Sequence, residues 1–255
     1  DGSVSNELQT ISRTGSDLTL SNSGGTITLN DDNASNELQT MSASYSGDTL
    51  YISQGNFLII PGISGANGGF AGCGGTFTDS RDGEIYTTVS IGNQCWMAEN
   101  LRYNASGSWL NSANPSTTYG RLYDWATVMN GATTSSSNPS GVPGICPSGW
   151  HLPSDSEWNE MEMALGMPAA DTANIGYRGT DHGTKMKSTT GWNSSGNGTN
   201  ASGFNAFPAG YYNLSSFTSF GVYANFWSST ESSSANAWYR FPYGGTGVYR
   251  SSNGN

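Results

Sequence analysis

The chain has 255 residues, of which only 9 are Lys or Arg and 19 are Asp or Glu, so its formal net charge is −10 at pH 7. An acidic chain repels nucleic-acid phosphates, which excludes nucleic acid as a partner. Aromatic residues make up 12 % of the sequence and exclude simple disorder. No apolar run approaches the ~20 residues of a transmembrane helix, so no membrane span is predicted. The polar, lysine-poor composition predicts an extracellular protein in which disulfides can form.

A duplicated segment opens the chain. The sequence SNELQT at Ser5–Thr10 recurs at Ser35–Thr40, and each copy is followed by short alternating apolar runs separated by Gly or Asn. This pattern is typical of β-hairpins. Two copies carry too few apolar residues to bury a core within one chain, so we predict an all-β stalk over residues 1–62 in which identical chains wind into a homotrimer. The side chains expected on the trimer axis are Leu8, Ile11, Leu38 and Met41.

The alternative for residues 1–62 is a small independent β-domain. The repeats resemble those of fibre-like surface proteins and phage tail fibres of the Bacteroidetes group. Because Asp1 lies inside a repeat, we expect it to be a processed or trimmed boundary. Residues 63–75 are rich in glycine and are predicted to be a hinge between the stalk and a head over residues 76–255.

The head opens with a predicted hairpin over Thr76–Ile91, in which Asp82 and Gly83 form a two-residue turn. Asp79, Asp82 and Glu84 could also be read as a calcium loop, but the ligand spacing of an EF-hand is absent and a plain turn is favoured. Cys73 and Cys95 bracket this hairpin and are predicted to pair. Cys146 is then the odd cysteine.

Two helices are predicted. Leu122, Trp125, Ala126 and Met129 share helical spacing and indicate a first, short helix with an apolar stripe. A second helix should begin after Ser154, because Ser154 and Glu157 form a capping-box pattern, and should run to about Leu165. Gly166 is placed to close it in a left-handed conformation.

Four motifs occur in order along the head: Asp82–Leu101, Tyr119–Trp125, Cys146–Pro153 and Phe226–Thr230. Together they resemble the Fibrobacter succinogenes major paralogous domain of bacterial secreted and surface proteins, from Cys73 to the end of the chain. The resemblance implies an α+β, C-type-lectin-like head with two helices and a twisted antiparallel sheet. It also implies similarity to the variable proteins of diversity-generating retroelements, which display a hypervariable face near the carboxyl end.

In the family, the cysteine before Pro-Ser-Gly-Trp has a partner in a final Gly-Phe-Ser-Val-Arg-Cys strand. This sequence lacks that cysteine, so the resemblance implies an unpaired Cys146. It leaves open whether the closing strand of the fold is present.

No catalytic machinery is predicted. His151 and His182 are the only histidines, too few for a multi-histidine metal site. His151 with Asp155 and Glu157 could form an acid–base group, but carboxylates in a first helical turn are also favoured by the helix dipole, and we prefer that structural role. No serine or cysteine nucleophile motif, phosphate loop or calcium-lectin motif appears. We therefore expect neither an enzyme nor a bound metal or cofactor.

The segment Gly203–Asn255 is dense in Tyr, Phe, Trp, Ser, Gly and Asn, the composition of antibody and engineered-binder paratopes. Arg240 and Arg250 lie in the same segment, and arginine is frequent among the residues that contribute most to binding energy, so both are predicted to contact the ligand. The predicted ligand-binding residues are Tyr223, Asn225, Tyr239, Arg240, Phe241, Tyr243, Tyr249, Arg250 and Asn253. The alternative is that about half of the aromatics of this segment are core, particularly Trp227 and Trp238.

These features predict a non-enzymatic receptor-binding or adhesion protein at the tip of a tail fibre or bacterial surface appendage. Its expected partners are a cell-surface protein or glycan, two further copies of itself in the homotrimer, and the shaft. One alternative is a structural subunit that caps the appendage without a specific ligand. A less favoured one is an enzyme related to the formylglycine-generating enzymes, whose paired catalytic cysteines are missing here.

Overall fold

The computed structural model describes residues 73–213 and 215–254, together with six strands among residues 11–59. The chain forms two compact units, and most of the amino-terminal strand residues belong to one of them, while residues 73–254 belong to the other. Among the described residues, no helix has the length and apolar character needed to cross a membrane.

The amino-terminal strands form two three-stranded sheets. Their bounds are β1 Ile11–Thr14, β2 Asp17–Leu20, β3 Thr26–Thr28, β4 Met41–Ala43, β5 Thr49–Ile52 and β6 Asn56–Ile59. The orders are β1-β2-β3 and β4-β5-β6. Since β4 begins 30 residues after β1, each copy of the repeat supplies one sheet. The side chains expected on a trimer axis lie outside the described part of the chain, so the homotrimer stays a prediction.

The second unit is α+β, as predicted, and most of its elements are strands. Its strands are β7 Thr76–Thr78, β8 Ile85–Ile91, β9 Gln94–Met97, β10 Ser108–Trp109, β11 Leu122–Tyr123, β12 Gly176–Arg178, β13 Tyr211–Asn213, β14 Ser216–Thr218, β15 Phe226–Ser233, β16 Asn236–Pro242 and β17 Val248–Gly254. Its helices are α1 Trp125–Met129, α2 Asp155–Ala164, α3 Ala169–Thr172 and α4 His182–Met186, with a 3₁₀ turn at Thr117–Tyr119.

The predicted first hairpin is present, but its turn differs. Thr78 pairs with Ile85, so six residues connect β7 to β8 instead of the two that Asp82 and Gly83 would provide. The longer loop forms because Asp79 is buried and its carboxylate accepts hydrogen bonds from the backbone and guanidinium of Arg81. A disulfide joins Cys73 to Cys95 on β9. This disulfide lies within the second unit. The Gly74 amide lies there too and donates a hydrogen bond to the Thr88 side chain on β8. Residues 63–72 of the predicted hinge lie outside the described residues.

Both predicted helices are present. Asp124 caps α1, while Leu122 lies one element earlier, in β11, and not in the helix. At α2 the capping box is complete: Ser154 Oγ accepts the Glu157 amide at 3.2 Å, and Glu157 Oε2 accepts the Ser154 amide at 2.9 Å. Gly166 follows the helix with φ +105°, as its predicted closing role requires. The short helices α3 and α4 were not predicted.

The central sheet of the head has four antiparallel strands in the order β12-β17-β16-β15. The last described strand, β17, lies inside the sheet, between β12 and β16. It does not carry the family's Gly-Phe-Ser-Val-Arg-Cys sequence, so the question of the closing strand stays open. Helix α2 packs on one side of this sheet, where the Trp158 ring lies 5.8 Å from that of Phe226 and 4.8 Å from that of Trp96. A second apolar cluster surrounds α1. The sheet thus has one side buried against α2 and another side that α1 covers only in part.

Candidate binding face

Strand alternation divides the predicted site residues between the two sides of the sheet. Successive side chains of a strand point to opposite faces, and directly paired residues share a face. Arg240 pairs with both Phe226 and Arg250, whereas Phe241 pairs with Tyr249. The arginines therefore lie on the side that packs against α2, and the tyrosines and Phe241 lie on the opposite side.

The predicted ligand-binding role of Arg240 and Arg250 is not compatible with their burial. Arg240 is 0 % exposed and Arg250 is 6 % exposed. Arg240 donates to Asp155 Oδ1 at 2.5 Å and to Asn159 Oδ1 at 2.6 Å, and Arg250 forms two hydrogen bonds of 2.8 and 3.0 Å to the Asp155 carboxylate. These arginines anchor the sheet to α2 and do not reach a ligand on the surface.

A third arginine completes this buried network. Arg178 of β12 forms a bidentate pair with Glu162 of α2, with two contacts of 2.7 Å, and Arg240 Nε lies 3.3 Å from the same carboxylate. Burial alone would raise the pKa of Asp155, but hydrogen bonds from Arg250 and the nearby Arg240 outweigh it, so the pKa is lowered. Asp155 therefore stays ionised between its two arginines.

The opposite side of the sheet carries a continuous group of aromatic rings, which we call the aromatic face. Ring centroids lie 4.7 Å apart for Phe241 and Tyr249, 5.8 Å for Tyr239 and Phe241, and 5.0 Å for Tyr223 and Phe241. Its members are Tyr177, Tyr223, Trp227, Tyr239, Phe241, Tyr243 and Tyr249. Apart from Tyr177 they are all half-buried, so each ring is held by neighbours and keeps one part accessible. The structure thus brings together all five predicted aromatic site residues.

Tyr177 is a member of the aromatic face that the sequence did not indicate. It is 58 % exposed, and its ring centroid lies 4.4 Å from that of Tyr243 and 4.6 Å from that of Tyr249. The pairing of β12 with β17, which sets Tyr177 opposite Tyr249, places it there. No local pattern around Tyr177 carries this information, because the pairing joins distant parts of the chain.

A buried lysine holds the segment that carries Tyr243. Lys187 is 2 % exposed, and its ammonium donates to the carbonyl oxygens of Tyr243 at 2.9 Å and Gly245 at 2.8 Å. It also lies 5.1 Å from the ring centroid of Trp192. Burial lowers the pKa of Lys187. The loop between β16 and β17 is therefore fixed from the core side, which orients Tyr243.

A cleft of about 1250 Å³ adjoins the aromatic face. Tyr223, Trp227, Tyr239 and Phe241 line it from the sheet, and the hairpin β13–β14 and the pair β10–β11 contribute Tyr212 and Trp109. The predicted residues Asn225 and Asn253 line the same cleft. Asn225 donates to the Gly210 carbonyl at 3.2 Å, and the Asn253 side chain is exposed. Both asparagines therefore belong to the candidate site.

The residues considered for acid–base chemistry have structural partners. Glu157 accepts from His151 at 2.6 Å and from the backbone amides of Ser154 and Ser140. Burial would raise the pKa of Glu157, but these hydrogen bonds lower it overall. Asp155 belongs to the arginine network. Within residues 73–213 and 215–254, no three His, Cys, Asp or Glu side chains come together as a metal-binding group.

Residues 89–253 match the family model of the Fibrobacter succinogenes major domain. The match covers more than half of the chain, from β8 to β17, so the chain belongs to this family. It includes α2, the arginine network and every residue of the aromatic face. No curated protein and no solved structure matches the chain.

Proposed function

We propose that this member of the Fibrobacter succinogenes major domain family is a non-enzymatic receptor-binding protein of a fibre or surface appendage. It binds a cell-surface protein or glycan through the aromatic face. Membership of the family supports a surface-protein role. The observation that carries the proposal is the aromatic face itself, seven neighbouring rings on the side of the sheet away from α2.

An accessible group of aromatic rings is well suited to recognition. Tyr and Trp offer a large contact area with only two side-chain torsions to fix, so little conformational entropy is lost when a partner binds. Rings of this kind dominate binding energy at many interfaces. On this head Tyr239, Phe241 and Tyr249 are already packed against one another, which reduces the cost of ordering them.

The opposite side of the sheet supports the same proposal. The strands that carry the face are tied to α2 by Arg240, Arg250 and Arg178, whose charged groups are paired with Asp155 and Glu162. A face built on strands that are held in this way keeps its shape before the partner arrives. Preorganisation of this type increases affinity without any new contact.

Presentation on a trimeric stalk is part of the proposal. Each copy of the amino-terminal repeat supplies a small sheet with little apolar material of its own, as expected for strands stabilised by identical neighbours. Sedimentation equilibrium of the full chain measures the oligomeric state, and a trimer is expected. A monomer with intact amino-terminal strands would contradict the stalk while leaving the binding face untouched.

The test of the binding function uses the full chain and whole candidate cells. Tyr239→Ala and Tyr249→Ala are compared with Ile85→Ala, which removes an exposed apolar side chain (56 % exposed) from β8, outside the face. Tyr239 also lines the adjoining cleft. Loss of about 2 kcal/mol at a hot-spot tyrosine corresponds to roughly a 30-fold weaker Kd. We expect that loss for the tyrosine variants and parental binding for Ile85→Ala.

Two results would contradict the proposal. Equal binding by the parent and both tyrosine variants would move the site away from the aromatic face. No binding by the parent to any candidate cell would favour a structural subunit that caps an appendage. Arg240 and Arg250 are unsuitable for this test, because their replacement would disturb the buried network and the fold.

A further inference from the structure

We infer that the ligand is a neutral glycan, bound in the cleft between the aromatic face and hairpin β13–β14. The inference rests on the proposed function, since it names the chemical class that the same site would take. Three properties of the cleft carry it: flat aromatic walls, free amide groups and a charged lining in which carboxylates outnumber the single arginine.

The aromatic walls suit the apolar face of a sugar ring. Trp109 and Tyr212 stack at 4.5 Å with an interplanar angle of 23°, and Phe217 lies 4.9 Å from Tyr212. Tyr223 and Phe241, which line the same cleft, meet edge to face at 5.0 Å. The electron-rich face of an aromatic ring attracts groups with partial positive charge. The axial C–H groups of a pyranose are such groups, so sugar rings can lie flat on these walls.

The polar groups of the cleft suit hydroxyl groups. Asn213 and Asn253 are exposed, and their side chains have no hydrogen-bond partner among the described residues. The Nδ2 of Asn225 donates to the Gly210 carbonyl, which leaves its Oδ1 able to accept. An amide side chain offers both donors and acceptors, and a sugar hydroxyl is also both donor and acceptor.

The charged side chains that line the cleft are already engaged inside the head. Their contacts are Glu99 with Arg102 at 2.7 Å, Arg121 with Ser108 at 2.8 Å, Asp124 with the Thr127 amide at 2.7 Å, Glu157 with His151 at 2.6 Å, and Glu160 with Asn138 at 2.6 Å. Four of these groups are carboxylates and only one is an arginine, so a sulfated or sialylated sugar would meet a lining that repels its negative charge. A neutral glycan meets no such repulsion.

The shape of the site favours a glycan over a protein surface. The cleft extends from the aromatic face to residues of β9 and α2, and its whole volume of about 1250 Å³ exceeds the roughly 300–1,000 Å³ of ordinary small-ligand pockets, which gives room for several sugar rings. Stable protein partners usually bury broad surfaces of about 800 Å² on each side. Flat rings that line a concave site match a chain of pyranoses better than they match a broad protein surface.

The direct test is a glycan array with neutral, sialylated and sulfated oligosaccharides, followed by calorimetry with the neutral glycans that bind. The variant is Asn213→Ala with Asn253→Ala, and the matched control is Asn174→Ala, an exposed asparagine outside the cleft. Neutral glycans should bind the parent and the control alike, and the double variant should bind about tenfold more weakly in Kd. No binding to any neutral glycan, selective binding of acidic glycans, or an unchanged Kd in the double variant would overturn the inference.

A second arm separates this inference from the proposed function. Cells that bind the parent are treated with periodate, which cleaves the vicinal diols of sugars, or with protease. Loss of binding after periodate supports the glycan. If protease alone abolishes binding, periodate leaves it intact, and Tyr239→Ala still fails to bind, then the ligand is a protein. In that case the glycan inference falls and the proposed function stands. If Tyr239→Ala, a change in a residue of both the aromatic face and the cleft, binds treated and untreated cells as the parent does, the proposed function falls as well.

Discussion

Replacing Asp155 by Asn should strongly destabilise the head. Asp155 and Glu162 are the two carboxylates that face three buried arginines. Removing one charge leaves Arg240, which is fully buried, and Arg250 without their shared counter-ion. Breaking a buried ion pair in this way costs about 3–5 kcal/mol. For a domain of 150–250 residues each kcal/mol lowers Tm by roughly 2–4 °C, so Tm should fall by about 6–20 °C.

The measurement is urea unfolding followed by tryptophan fluorescence, with Asp82→Asn as the matched control. Asp82 lies in the exposed β7–β8 loop, and its Oδ1 accepts the Glu84 amide, a contact that Asn preserves. The control should therefore change the free energy of unfolding by no more than about 0.5 kcal/mol. If Asp155→Asn costs less than about 1 kcal/mol, the arginine network does not anchor the sheet and the account of the rigid face is wrong.

Three further predictions concern titration and cysteines. The pKa values of Asp155 and Glu157 are lowered in the folded state, so these carboxylates stabilise the fold. Their contribution is fully present above the ordinary carboxyl pKa of about 4 and is lost as pH falls below it. A free energy of unfolding that stays constant from pH 5 to pH 2 would contradict this. Replacing Cys73 and Cys95 by Ser should lower the free energy of unfolding by about 3 kcal/mol, because the disulfide closes a loop with a sequence separation of 22. Equal unfolding midpoints of the parent and this variant would contradict the prediction. Burial raises the pKa of Cys146 to about 12, so a thiol reagent should modify it far more slowly in the folded than in the urea-unfolded protein at neutral pH, and equal rates would disprove this.

The features that the sequence predicted well depend on neighbouring residues. The capping box of α2 needs only Ser154 and Glu157, three positions apart, and the apolar stripe of α1 spans a single short segment. Pairing of Cys73 with Cys95 follows from a hairpin that lies between them. In each case the chemistry that fixes the structure is contained within about 25 residues, so it can be recognised without the fold.

The features that the sequence missed depend on distant contacts. Arg240 and Arg250 have the composition of a binding hot spot, but Asp155 lies 85 and 95 residues away from them, and only the fold reveals that it holds both. Alternation along β16 could have warned that Arg240 faces away from Tyr239 and Phe241. It could not have shown which face is buried, because both carry large side chains.

The alternation of β16 and β17 has a consequence for protein engineering. Tyr239, Phe241, Tyr249 and Ser251 point to one side, whereas Arg240 and Arg250 point to α2. A combinatorial library that randomises only these four outward positions would change the chemistry of the outer surface and leave every arginine–carboxylate contact in place. Ala237, on the same side of β16, is fully buried in the cluster around α1 and has to be kept. Selection from such a library would explore new specificities without first having to repair the scaffold.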